Sequence, residues 1–249
     1  MTDLTVALAS KPFVNGDLRA NLATVLDTMA DAREQGASLV CFGESFLQGF
    51  DGLAWDYAID RDRAVTRDGE ALRRVREASR CLGIDVALGY IERAGEALYS
   101  SYLLVEGGEV TRNYRRISRG WKEYSRTDGH YREGDAPFCF PWRGKTFCVA
   151  LCGDLWDFPQ RFRLGEDVLL WPIYCDYTVA EWQGGVLAEY ARQCAPIAPL
   201  TLMINSICPP DGHGGCAAFR QGGAAALLPP GREGLLLVPL EKMTEGGCP

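Results

Sequence analysis

The chain has 249 residues, 47% of them hydrophobic and 24% charged, a composition that buries a core and excludes a disordered polypeptide. With 26 Lys plus Arg against 33 Asp plus Glu, the formal charge is -7, so there is no positive field to hold a phosphate backbone and nucleic acid is not an expected partner. No stretch reaches the roughly 18 apolar residues that cross a bilayer, and no basic start followed by an apolar run marks a secretion signal. The expectation is a soluble, cytoplasmic protein with no membrane partner, folded as a single domain over residues 1–249.

Leu4 to Ala9 reads as a buried strand. Leu18, Leu22, Val25, Leu26 and Met29 then recur at helical spacing, with Asp17 placed to cap the helix and Gly36 to end it. Ser38 to Phe42 is the next strand, and it delivers Gly43-Glu44-Ser45 to its C-terminal end, where open α/β sheets place their chemistry. Leu72 to Leu82 predicts a helix, Ile84 to Ile91 and Leu98 to Val105 two strands, and Gly107-Gly108 a hairpin turn into Val110 to Arg116. The second half repeats the alternation: a strand at Thr146 to Leu151, a short helix near Phe158 to Leu164, a strand at Val168 to Pro172, a longer helix from Val179 to Cys194, and a strand at Leu200 to Asn205. Gly215 to Phe219 and Gly234 to Val238 read as closing strands, and the stretch from Pro209 to Gly234, rich in Gly, Pro and Ala, reads as mobile. Strands alternating with helices and ending in hairpins imply mixed sheets covered by helices.

Cys41, Cys148, Cys152 and Cys175 lie in or beside apolar runs, where a free thiol acts as a small hydrophobe, so reduced cysteines are expected. No C-x-x-C pair exists and the two histidines, His130 and His213, lie far apart; neither metal nor cofactor is expected. Gly144-Lys145-Thr146 resembles the end of a phosphate-binding loop, but Cys139 stands where that loop needs its first Gly.

Three segments remain as candidates for chemistry. Cys152 ends an apolar strand and is followed by Gly153-Asp154; Glu44 ends another; and Tyr114 to Glu123 is a cationic run carrying Arg116 and Lys122. Each alone has a plainer reading, as a packed thiol, a solvated loop carboxylate and an exposed surface. A nucleophilic thiol needs nearby charge to support its thiolate, and a carboxylate can carry its proton.

Taken in order, these segments resemble the nitrilase, or carbon–nitrogen hydrolase, superfamily. Gly43-Glu44 through Gln48-Gly49-Phe50, Tyr114-Arg115-Arg116, Tyr131-Arg132-Glu133-Gly134-Asp135, Leu151-Cys152-Gly153-Asp154 and Val168-Leu169-Leu170-Trp171-Pro172 match its ordered motifs across nearly the whole chain. The resemblance implies an α/β fold, a four-layer α-β-β-α sandwich with two mixed sheets, and a Glu, Lys and Cys triad. Three departures stand out: Gly43 replaces Pro, Gln160 follows Pro159 where Glu is common, and Arg116 occupies the Lys position.

The resemblance therefore implies hydrolysis of a small-molecule amide or carbamoyl group through a Cys152 thioester, with Glu44 as general acid and base. Lys122 is preferred to Arg116 as the cation because a compact ammonium approaches both thiolate and oxyanion, with Gly120 freeing the turn, Trp121 anchoring it and Glu123 holding the ammonium. Gly153 and Asp154 support the site, and Trp156 and Tyr174 are candidate substrate contacts. Arg119, Arg126, Arg132, Trp171 and Tyr177 also flank it. Gly153-Asp154 after the Cys, in place of Trp-Glu, leans toward amides over nitriles. A homodimer or higher homo-oligomer is implied, with the helix around Trp182 as a candidate contact. Two other readings are a papain-like pair of Cys152 with His130 or His213, and a binding or scaffold protein that kept the fold and lost the chemistry.

Overall fold

The computed structural model describes residues 4–241; the first three and last eight residues of the expected 1–249 domain lie outside the described residues. β1 (Thr5–Ser10) pairs in parallel with β2 (Leu39–Cys41), which pairs in parallel with β3 (Asp85–Ala94). The antiparallel β4 (Ala97–Glu106) and β5 (Glu109–Arg115) follow, joined by the turn at Gly107-Gly108, where both glycines have positive φ. A second six-stranded sheet contains β6 (Cys139–Trp142), β7 (Lys145–Val149), β8 (Val168–Ile173), β9 (Leu200–Asn205), β12 (Cys216–Arg220) and β13 (Gly223–Leu228). Between β9 and β12 lies a small separate ladder of β10 (Ile207–Cys208) and β11 (Gly212–His213), while β14 (Gly234–Pro239) returns to flank β1 in the first sheet.

Strand alternation builds the layers. Val6, Leu8, Leu39, Cys41, Tyr102 and Leu104 share one core with Phe147, Val149, Leu169 and Met203 of the second sheet. Their neighbours Ala7, Ala9, Val40, Leu103 and Val105 pack against Leu22, Val25, Met29, Leu72 and Val75 of α1 (Leu18–Glu34) and α3 (Glu70–Leu82). Strands buried on both faces read as continuous apolar runs, because each face meets its own apolar layer. The Asp17 side chain accepts the Ala20 N–H at 2.9 Å, the expected cap of α1. On the far side, Tyr190, Ala191 and Cys194 of α6 (Leu187–Cys194) join the core of the second sheet. The result is the four-layer α/β sandwich.

Several local expectations change. α2 (Tyr57–Arg63), β6 and β13 were not anticipated, and the stretch expected to be mobile, Pro209 to Gly234, carries β11, β12 and β13. The long helix from Val179 breaks into α5 (Val179–Glu181), a π-helical turn over Trp182–Val186 and α6, because Gly185 adopts φ 151° inside it. The expected short helix starts earlier, as α4 (Asp154–Asp157) followed by a 3-10 turn at Pro159–Phe162. Gly144 sits in the tight β6–β7 turn at φ 83°, so Gly144-Lys145-Thr146 serves a hairpin and holds no phosphate cradle. In the helix around Trp182, the candidate subunit contact, the Trp182 ring itself is buried within the chain against Tyr177 and Tyr190. Among the described residues no helix is long and apolar enough to cross a membrane.

Candidate active site

Three strand ends converge. After β2 the chain runs through Gly43, where a Cβ would lie 2.3 Å from the Ser206 hydroxyl oxygen, while a Cβ on Gly89 of β3 would lie 2.2 Å from the Gly43 carbonyl. This passage is too narrow for a side chain, which is a local reason for Gly at 43 in place of Pro. It carries Glu44 to a fully buried position. There Oε1 accepts from Ser100 Oγ at 2.8 Å, and Arg116 Nη1 donates to Oε1 at 2.8 Å and Oε2 at 3.0 Å.

Arg116 arrives by strand parity. Tyr114 points into the sandwich, Arg115 points out to Glu92, and Arg116 points back in, 3% exposed. Its Nε donates to Ser118 Oγ at 2.7 Å and its carbonyl accepts the Gly134 N–H at 2.7 Å, so the Tyr131 to Asp135 motif braces the end of β5. Burial works against the guanidinium charge, but Glu44, with Cys152 and Asp154, outweighs it and holds the group protonated above its ordinary range.

Cys152 follows β7 and lies in the left-handed region at φ 41°, a conformation that costs a non-glycine residue energy and is retained only where surroundings impose it. Its N–H donates to the Pro172 carbonyl at 3.0 Å and its carbonyl accepts from Trp171 Nε1 at 2.9 Å. The buried Asp154 locks the same loop: Oδ1 accepts from the N–H groups of Ile117 and Ser118, and Oδ2 accepts from Tyr114 Oη at 2.6 Å and Leu151 N at 2.9 Å. One carboxylate thus ties the cysteine turn to the arginine turn. A Cβ on Gly153 would lie 2.5 Å from Arg116 Nη2, so the guanidinium packs on the backbone directly after the thiol.

The Cys152 thiol is held below the ordinary thiol range. A hydrogen bond from the Cys175 side chain is the largest cause, and Arg116 adds to it, against burial and the Glu44 charge. By contrast, burial pushes the thiols of Cys41, Cys148 and Cys216 up, Cys216 to about 12. All nine cysteines among the described residues are free.

Cys152 opens on a pocket of about 370 Å³ lined by Trp156, Tyr174, Cys175, Asp176, Tyr177, Glu189 and Tyr190, a volume suited to a small molecule. Trp156 and Tyr174, the candidate substrate contacts, both line this pocket. Glu44 and Arg116 stand behind Cys152 and are not lining residues. Arg119, Arg126 and Arg132 are also outside the lining: Arg119 lies over Tyr124, Arg126 donates to the Ala54 carbonyl and Arg132 to that of Gly129.

Lys122 departs from its expected place. Trp121 is anchored in apolar packing as expected, but the ammonium pairs with Glu133 at 2.8 Å and donates to the Tyr131 carbonyl, and Glu123 bonds Ser125. The Tyr131 to Glu133 segment satisfies the ammonium in that loop, and Arg116 fills the position beside Glu44. His130 pairs with Asp128 and stacks on Tyr57, His213 lies in β11, and neither lines the pocket. Sequence reasoning missed Ser100 beside Glu44 and Cys175, Asp176, Glu189 and Tyr190 in the pocket wall. Ser100 left a signal, a polar pair Ser100-Ser101 inside an otherwise apolar strand.

A family model described as carbon-nitrogen hydrolase matches residues 5–152. An arylacetone-specific nitrilase of Alcaligenes faecalis is 31% identical over 113 residues, covering 41% of this chain and 32% of its own length. A nitrilase of Pseudomonas syringae pv. syringae is 26% identical, covering 98% of this chain and 79% of its own length. The matched region spans about a third of the length of the first three curated relatives. Among solved structures, an amidase from Nesterenkonia sp. has a TM-score of 0.78 at 22% identity, covering 98% of this chain and 93% of its own, and shares the fold.

Proposed function

From the premise that the chain belongs to the carbon–nitrogen hydrolase family, we propose that it is one hydrolase domain that cleaves the C–N bond of a small amide or carbamoyl compound through a thioester on Cys152. The observation that carries this reading is the Cys152 thiol, held below its ordinary range in the lining of a small-molecule pocket, with a buried carboxylate and cation packed behind it. An amide carbon is a poor electrophile. Cys152 Sγ attacks it, Glu44 takes the thiol proton and returns it to the leaving amine, and Glu44 then activates the water that hydrolyses the thioester.

Arg116 takes the role first expected of Lys122. Its charge offsets the repulsion between Glu44 and the thiolate, and its packing on Gly153 sets it behind the oxyanion that forms in each tetrahedral intermediate, where the Gly153 N–H donates. Asp154 is a positioning residue that holds the two turns together. Asp176 and Glu189, with no Lys or Arg among the described residues of the lining, favour a substrate whose unreactive end is neutral or cationic, in place of the carboxylated amide that flanking arginines would suit. An amidase of the same fold has been captured with the acetamide moiety of fluoroacetamide added covalently at its active-site cysteine, which supports covalent chemistry on this scaffold.

One observation favours a second reading, a binding protein with impaired chemistry: Arg116 bonds both Glu44 oxygens and Glu44 is fully buried. A screen of amides, carbamoyl compounds and nitriles with ammonia detection separates the two. Release from an amide by the wild type and none by Cys152→Ala is expected. Faster release from a nitrile than from its matching amide would reverse the substrate class, and pocket binding without any release would establish the binding protein.

A further inference from the structure

The walls of the pocket carry charge of one sign. Asp176 follows Cys175 in the loop after β8, Glu189 stands on α6, and both line the cavity on which Cys152 opens. Neither side chain has an ion pair or hydrogen bond among the described residues. Behind the thiol, Glu44 and Asp154 already face the one guanidinium there, that of Arg116, so the two wall carboxylates are left without a counter-charge in the lining. Burial pushes the Tyr177 hydroxyl up, and Cys175, Glu189 and Asp176 add to the rise. Burial also raises the Asp51 carboxyl, with Asp176 and Asp211 adding to it, so like charges crowd this side of the pocket.

The aromatic part of the wall divides by what covers each ring. Tyr174 stacks on Phe50 at 5.0 Å and Tyr190 on Trp171 at 4.8 Å, so one face of each is taken. Trp156 and Tyr177 instead make T-shaped contacts with Tyr190 and Trp182 and stay 36% and 38% exposed. An open aromatic face attracts a cation through its quadrupole, and an unpaired carboxylate does so through its charge. A purely apolar substrate tail would use the rings and leave the carboxylates idle.

We propose that the substrate's unreactive end is an organic cation, an ammonium or quaternary ammonium on a short alkyl chain, held by Asp176 and Glu189 against Trp156 and Tyr177. This rests on reading Cys152 as the nucleophile of an amide hydrolase and names the substrate class of that site. The chemistry gains from the charge. Each tetrahedral intermediate places a negative oxygen in a pocket whose wall is already negative, and a cation carried by the substrate offsets that repulsion. A neutral aliphatic amide leaves both carboxylates opposing the oxyanion, and a carboxylated amide adds a third.

The test compares three amides that share one spacer and differ only at its end: γ-aminobutyramide, valeramide and glutaramate, which end in ammonium, methyl and carboxylate. The kcat/KM for ammonia release should be about tenfold higher for γ-aminobutyramide than for valeramide, and lowest for glutaramate. Glu189→Gln and Asp176→Asn should each cut the ratio of the first two about threefold, and added salt should shrink it in the wild type. Equal or faster cleavage of valeramide, or a ratio that neither variant lowers, would overturn the proposal. Ammonia from none of the three counts against the hydrolase reading alone. The cation is then read from protection of Cys152 against iodoacetamide by the same compounds, where γ-aminobutyramide protecting no better than valeramide overturns the proposal.

Discussion

Arg115 ends β5 and Arg116 directly follows it, and each meets a buried glutamate that also takes a hydroxyl from β4. Arg115 pairs with Glu92, which Ser101 also bonds; Arg116 pairs with Glu44, which Ser100 also bonds. The two sets use the same chemistry on opposite faces of the sheet. The Arg115 side chain keeps 31% of its surface exposed and lies 3.9 Å over the Tyr99 ring, whereas Arg116 keeps 3%. Burial pushes the Glu92 carboxyl up, but Arg115, Ser101 and Asn113 together hold it below the ordinary carboxylate range. The inner set alone abuts a cysteine, and Arg116 packs on the backbone that follows it. A buried Arg–Glu–Ser set is therefore no mark of function by itself; the neighbouring thiol distinguishes the site from a brace.

Substitutions that separate the two sets test this contrast. Cys152→Ala should abolish ammonia release while the thermal transition stays near that of the wild type, since removing one sulfur from a partly open site costs little packing. Glu44→Gln should lower kcat by about 10²- to 10⁴-fold, because the amide keeps a hydrogen bond but carries no proton. Arg116→Met should lower kcat by about 10²- to 10³-fold and destabilise the fold by about 3–5 kcal/mol in urea titration, because it leaves Glu44 buried and unpaired.

The outer set should behave differently. Arg115→Met is expected to keep kcat within about twofold while losing about 1–3 kcal/mol of stability; an activity loss equal to that of Arg116→Met would erase the distinction. Because the folded Glu92 carboxyl lies below its unfolded value, its contribution is full above the unfolded value and fades as pH falls through the folded one. The stability gap between wild type and Glu92→Gln should therefore be widest near neutral pH and shrink in acid, and a gap that widened in acid would contradict the assignment. Lys122→Met should have the smallest effect on turnover, within about threefold, with a loss of about 1 kcal/mol.

Much of the layer order was legible in the residues, because doubly buried strands such as Leu4 to Ala9 are apolar throughout and α1 carries both its period and its Asp17 cap. β6 escaped because four residues containing Pro141 do not read as a strand, though an edge tolerates proline. β13 escaped because Gly-Ala-Ala-Ala-Leu-Leu carries no strand preference, and its pairing with β12 supplies what propensity does not. At the site, Glu44 and Cys152 were visible as polar groups ending apolar strands. The preference for Lys122 weighed the chemistry of the ammonium and passed over parity: with Tyr114 facing in, Arg116 faces in as well. Cys175 was read as a packed thiol because its sharing of one pocket with Cys152 depends on how the loops after β7 and β8 come together, which neither segment encodes alone.

Every step of the proposed hydrolysis passes through one sulfur. Rapid-quench mass spectrometry of the protein turning over an amide found in the screen tests it most directly. The expected result is a mass gain equal to the acyl group replacing one hydrogen, mapped to the peptide containing Cys152 and longer lived in Glu44→Gln than in the wild type. Steady ammonia release with no adduct on that peptide in either protein would contradict it.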